Sequence, residues 1–140
     1  MFTDPLPDDE DYRIYFTPFA ERYYLKRFAK EYKGKRWLIT RDSIFQDLKR
    51  VHSMQKTQQV DELKRGGGYK LFKYDFTIAQ SDVSPKSSGN RCIIFLDVAR
   101  HRQDVLMVYN KTDLPKSSSE SQFIYKTVEK QFKTLWDRLD

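Results

Sequence analysis

Two apolar runs between residues 91 and 111 dominate the hydrophobic pattern. Arg91-Cys-Ile-Ile-Phe-Leu-Asp-Val98 and Asp104-Val-Leu-Met-Val-Tyr-Asn-Lys111 are rich in β-formers, and the five residues 99–103 between them are mostly polar, which predicts a β-hairpin. With the turn centred on His101, paired positions sum to about 202 and Arg91 lies directly opposite Lys111. Alternation then puts Cys92, Ile94, Leu96 and Val98 on one face with Leu106 and Val108, an apolar surface for helices to cover. Arg91, Tyr109 and Lys111 point the other way, with Arg91 making no core contact. Two cations directly across a strand pair repel, so this arrangement suits an anion held between them; the plain alternative is a solvated sheet end.

The pattern extends to the rest of the chain. Tyr12-Arg-Ile-Tyr-Phe16 reads as a short strand, closed by Thr17-Pro18, where the hydroxyl caps a helix and the proline takes its first position. Phe19, Tyr23, Leu25, Phe28, Ala29 and Tyr32 give that helix an apolar side up to about Lys33, and Gly34 stops it. A second helix is expected over residues 41–54, with Ile44, Phe45, Leu48 and Val51 inward, Arg41, Lys49 and Arg50 outward, and Asp42 or Ser43 as cap. Residues 55–68 are polar and end in Gly66-Gly67-Gly68, which predicts a flexible link. Tyr69 to Ile78 alternates as a strand, with Phe72, Tyr74, Phe76 and Ile78 inward and Tyr69, Leu71, Lys73, Asp75 and Thr77 outward. Lys70 shares the inward parity but starts the strand, where it is expected to reach solvent. A Ser/Pro/Gly-rich loop delivers Lys86 to the edge of Arg91. After the break around Leu114-Pro115, a last helix over roughly 119–138 buries Ile124, Val128, Phe132, Leu135 and Trp136.

Composition narrows the class. At 140 residues with 39% hydrophobic and 15% aromatic content, one core and one domain are expected. No run approaches the roughly 18 apolar residues of a membrane span, and no signal segment is evident, so a cytoplasmic location is expected. The single cysteine, Cys92, reads as a buried core residue. Residues 1–11 hold five of the 20 acids and none of the 26 basic residues, and read as an acidic tail. The remaining chain, 12–140, therefore carries 26 bases against 15 acids, a net +11. That balance points to an acidic partner, nucleic acid first.

The outward face offers Lys73, Lys86, Arg91, Tyr109 and Lys111, with Tyr69 and Lys70 nearby. No zinc-type Cys/His spacing and no usefully spaced acidic pair is present, so neither metal nor cofactor is expected. RNA cleavage needs no metal when the ribose 2′-OH attacks its own neighbouring phosphate, since the nucleophile is already in place. Clustered lysines can supply base, acid and counter-charge, an arginine can clamp the phosphate, and a tyrosine can orient or stack on a base.

The order strand, two helices, three antiparallel strands, helix, together with Tyr69-Lys-Leu-Phe-Lys73, Lys86-Ser-Ser-Gly-Asn-Arg91 and Val105-Leu-Met-Val-Tyr-Asn-Lys111-Thr-Asp-Leu114, resembles the RelE/ParE toxin superfamily, closest to its HigB/RelE-like mRNA-cleaving branch. The resemblance spans about residues 12–135 and is specific over 69–114. It implies an α+β fold in which an N-terminal strand joins a three-stranded antiparallel sheet to make four strands, with a helical hairpin and a C-terminal helix. It also implies a toxin of a toxin–antitoxin module, a metal-independent endoribonuclease acting on mRNA, often on the ribosome, and silenced by a cognate antitoxin protein. By motif, Arg91 and Lys111 correspond to phosphate ligands, Lys70 or Lys73 to the strand lysines, and Lys86 to the loop lysine, with Lys73 or Lys86 as general base or acid. Tyr109 or Tyr125 takes the place of the family's tyrosine. The chain departs from the pattern in its length, in its extended loop before Arg91 and in lacking a second basic residue after Lys111. A non-catalytic ParE-like gyrase poison and a plain basic nucleic-acid-binding module are the alternatives.

Overall fold

The computed structural model describes residues 12–139; the acidic tail expected over residues 1–11 lies outside them. Strand β1, Arg13–Phe16, leads into Thr17, whose hydroxyl accepts from the Ala20 N–H at 3.1 Å. Helix α1 spans 18–31 and widens to a π turn over Glu21–Leu25. Gly34, at φ 72°, turns the chain directly into α2, Lys35–Lys49. That start is earlier than the pattern predicted, because Trp37 and Thr40 add a further buried turn. Trp37 stacks on Phe28 with ring centroids 5.2 Å apart, and the Thr40 hydroxyl donates to the Arg36 carbonyl while accepting the Ala79 N–H, both at 2.7 Å.

The expected flexible link is instead partly a strand. Val60–Gly66 forms β2 and pairs antiparallel with β3, Tyr69–Phe76. Gly68, at φ 82°, makes the tight turn between them that an L side chain would strain. A Cβ on Gly66 would run into the Arg138 carbonyl oxygen, so this glycine allows the end of the chain to lie against the hairpin. With β4, Asn90–Asp97, and β5, Arg102–Asn110, the sheet has five strands rather than four, in the order β1-β5-β4-β3-β2. Only β1 runs parallel to its neighbour, β5; the other pairs are antiparallel.

The predicted hairpin over 91–111 is present, but its register differs. Arg91 faces Tyr109, not Lys111, and Asn90 faces Asn110. A β-bulge then advances the pairing from Ile93↔Met107 to Ile94↔Val105, so Leu106 is the extra residue. Leu106 consequently turns to the face opposite Val108, against expectation.

Both faces of the sheet are covered. On one, Leu25, Phe28, Trp37, Ile44 and Leu48 of the helical hairpin pack over Phe72, Tyr74, Phe76, Cys92, Ile94, Leu96, Val105 and Val108. On the other, Ile124 and Val128 of α3, Glu120–Gln131, cover Leu71, Ile93, Phe95, Leu106, Met107 and Tyr109. The face expected to be outward is thus a second core, and every residue of β4 is buried. Burying each large apolar side chain contributes about 1.5–3 kcal/mol, which accounts for the continuous apolar run over residues 92–96 at the centre of β4. The last helix stops at Gln131; Phe132, at φ −133°, breaks it before a final turn, Lys133–Trp136. No helix of the described residues is long and apolar enough to cross a membrane.

Candidate functional site at the strand ends

Three adjacent strands carry Asp75, Arg91 and Tyr109 abreast, since Asp75 pairs with Arg91 and Arg91 with Tyr109. Lys73, two positions along β3 and on the same face, completes a row beneath the start of α3. That start is fixed by a capping box: the Ser119 hydroxyl accepts from the Gln122 N–H, and the Gln122 side chain accepts from the Ser119 N–H, both at 3.2 Å. Glu120, the first residue of the helix, is thereby held over the row. Its carboxylate accepts from the Tyr109 hydroxyl at 2.7 Å and lies 3.6 Å from Lys73 Nζ and 3.9 Å from Arg91 Nε. Asp61 of β2 stands across the strand pair from Lys73.

Arg91 is only 4% exposed, and its guanidinium is occupied. Nε lies 3.0 Å from Asp75 Oδ1. Nη1 donates to the Asn90 carbonyl at 3.1 Å and reaches the Pro85 carbonyl at 3.5 Å, while Nη2 donates to the Lys86 carbonyl at 3.1 Å. The expectation that this side chain makes no core contact is therefore wrong: it is buried and ties the helical turn Pro85–Ser88 to the sheet. The two cations Lys73 and Arg91 are balanced by Asp75 and Glu120. Burial raises the Asp75 carboxyl pKa above its usual value, and Arg91 and then Lys73 pull it back only in part. Burial, and then donation to Glu120, push the Tyr109 phenol far up, so it remains a proton-bearing donor. Burial also raises the Cys92 thiol, in keeping with a core residue.

The structure gathers Arg91, Lys73 and Tyr109 into one network. Lys86 joins through its backbone carbonyl, leaving its side chain exposed on the turn beside Arg91. Lys111 is also exposed, at the start of a 3₁₀ turn, with its N–H donated to the Gly89 carbonyl at 2.8 Å. Two candidates lie elsewhere. Lys70 does not reach solvent: it is buried on the other face, with Nζ 2.7 Å from Glu62 Oε1 on β2. Tyr125 donates to the Leu63 carbonyl at 2.9 Å and packs against Trp136, towards the β2 edge.

Sequence reasoning passed over Asp75 and Glu120. Asp75 shares the strand parity of Lys73, and Ser119-Glu-Ser-Gln122 carries the capping-box spacing that sets Glu120 at a helix start. Among the described residues no group of three His, Cys, Asp or Glu side chains is placed to hold a metal ion. Comparison with protein-family models, with curated proteins and with solved structures finds no match to this chain.

Proposed function

We propose that the chain is a toxin of the RelE/ParE type and a metal-independent endoribonuclease that cuts mRNA at the ends of β3, β4 and β5. The observation that carries this reading is the convergence of Lys73, Arg91 and Tyr109 on a single anionic group, with the exposed amines of Lys86 and Lys111 on the adjoining turns. The element order agrees with the resemblance once β2 is allowed as an added edge strand. In the reaction, the 2′-hydroxyl oxygen attacks the adjacent phosphorus and its proton passes to a base. The departing 5′-oxygen takes a proton from an acid, leaving a 2′,3′-cyclic phosphate and a 5′-hydroxyl. Lys73 and Lys86 are the candidates for base and acid, Lys111 steadies the backbone, and Tyr109 donates to a phosphate oxygen. Arg91 serves as a positioning residue, since its nitrogens hold the turn that presents Lys86.

Incubating the purified protein with mRNA in EDTA, with and without ribosomes, tests this reading. Cleavage that Lys73→Ala abolishes while the fold persists supports it, and intact RNA under every condition sinks it.

One observation favours a second reading. Arg91 is committed to Asp75 and to backbone carbonyls, and two carboxylates offset the buried Arg91 and the part-buried Lys73, as suits a fold that binds rather than cuts. A non-catalytic ParE-like poison or a basic nucleic-acid-binding module fits that balance. Gyrase inhibition with RNA left intact identifies the former, and salt-sensitive binding without a cut strand the latter.

A further inference from the structure

The Glu120 carboxylate occupies the position an anionic ligand would take. One oxygen accepts from the Tyr109 hydroxyl at 2.7 Å and lies 3.9 Å from Arg91 Nε, and the other lies 3.6 Å from Lys73 Nζ. One hydroxyl donor and two cations from three neighbouring strands thus meet one pair of anionic oxygens, Tyr109 by a hydrogen bond and Lys73 and Arg91 at ion-pair distance, much as they would surround the two non-bridging oxygens of a phosphodiester. The carboxylate belongs to a different element, the first turn of α3, reached through residues 111–119, most of which are exposed. While Glu120 is in place the cluster's two cations are already balanced by Glu120 and Asp75, and Asp61 stands opposite Lys73. A phosphodiester and Glu120 cannot share the same donors.

We propose that Glu120 is an autoinhibitory plug, a side chain that mimics the phosphodiester and must swing out with the start of α3 before RNA can enter. This rests on the reading of the cluster as a phosphodiester site. A plug of this kind lowers apparent affinity by the fraction of molecules that are open, so weakening it strengthens binding without adding any contact.

The test measures binding of a short 2′-O-methyl oligoribonucleotide, which cannot be cut because the attacking hydroxyl is blocked, by fluorescence anisotropy at fixed salt. Glu120→Gln should bind about tenfold more tightly than the wild type, and Lys73→Gln in the Glu120→Gln background should reverse the gain. Ser119→Ala keeps every charged group of the cluster but removes the hydroxyl that caps α3, and should give a gain of a few-fold. Unchanged or weaker binding by folded Glu120→Gln overturns the plug. If Glu120→Gln does not fold, the absence of any gain from Ser119→Ala overturns it equally. Tighter binding by the variants, with no cleavage of unmodified RNA by any of the proteins, keeps the plug and removes the ribonuclease. Equal binding and equal cleavage by wild type and variants remove the plug and keep the ribonuclease.

Discussion

Arg91 illustrates how far a residue's role depends on what lies above its strand. Its outward parity was legible in the sequence, but parity does not say whether solvent or a helix covers that face. Here α3 covers it, and the guanidinium binds Asp75 and three carbonyls instead of standing free. Arg91→Ala should therefore destabilise the fold by about 3–5 kcal/mol, because it leaves the Asp75 charge buried without its partner; urea denaturation at neutral pH checks this. Asp75 adds a pH dependence of definite sign. Its folded-state pKa is raised, so the folded protein holds the proton more tightly than the unfolded chain. Its contribution is fully present below the ordinary carboxylate pKa and is lost as pH rises through the raised value. The stability of Asp75→Asn relative to wild type should accordingly rise from acidic to neutral pH, on top of the pH-independent cost of depriving Arg91 of its carboxylate, and the difference between the two melting curves across that range is the measurement. Neither Asp75 nor Glu120 stood out in the sequence, because single carboxylates among so many charges acquire meaning only from the register and from the cap at Ser119.

At the scale of elements, the long apolar patterns were readable and the weak ones were not. The strands β1, β3, β4 and β5 and the helices α1, α2 and α3 are all present in the expected order, although α2 begins at Lys35 rather than at residue 41 and α3 stops at Gln131. Strand β2 escaped because Val60-Asp-Glu-Leu-Lys-Arg-Gly66 has only two apolar residues, and it lies at the sheet edge, with a bulge between Glu62 and Lys64. The bulge at Leu106 likewise leaves no mark in the alternation, and it shifts the hairpin register on the His101 side of Ile93. Missing β2 also meant misplacing Lys70, whose partner Glu62 lies on it. This buried pair holds the edge strand at a specific position. Lys70→Ala should cost about 3–5 kcal/mol by removing the close ion pair from Glu62, whereas the double change Lys70→Met with Glu62→Leu should recover most of it. Thermal melts of the three proteins decide the matter, and equal losses in the single and double variants would refute the coupling.

For the whole molecule, the basic excess lies outside the buried network, whose cations are paired. The exposed amines of Lys86 and Lys111 flank the strand ends, so under the proposed function they would add to RNA binding electrostatically and independently of each other. The double variant Lys86→Ala with Lys111→Ala should flatten the slope of log K against log salt by about 1.4 for a single strand, with stability unchanged; binding isotherms at several salt concentrations measure it. The parallel pairing of β1 with β5 bears on how the chain is made. Thr17 and Val105 are hydrogen-bonded although 88 positions apart, while the β2–β3, β3–β4 and β4–β5 pairs join neighbours in sequence. During vectorial synthesis the first strand therefore emerges long before its partner exists, and the antiparallel strands can assemble without it. Docking of β1 is then a late, entropically costly closure, and until it happens the β5 edge stands open to pairing with other chains.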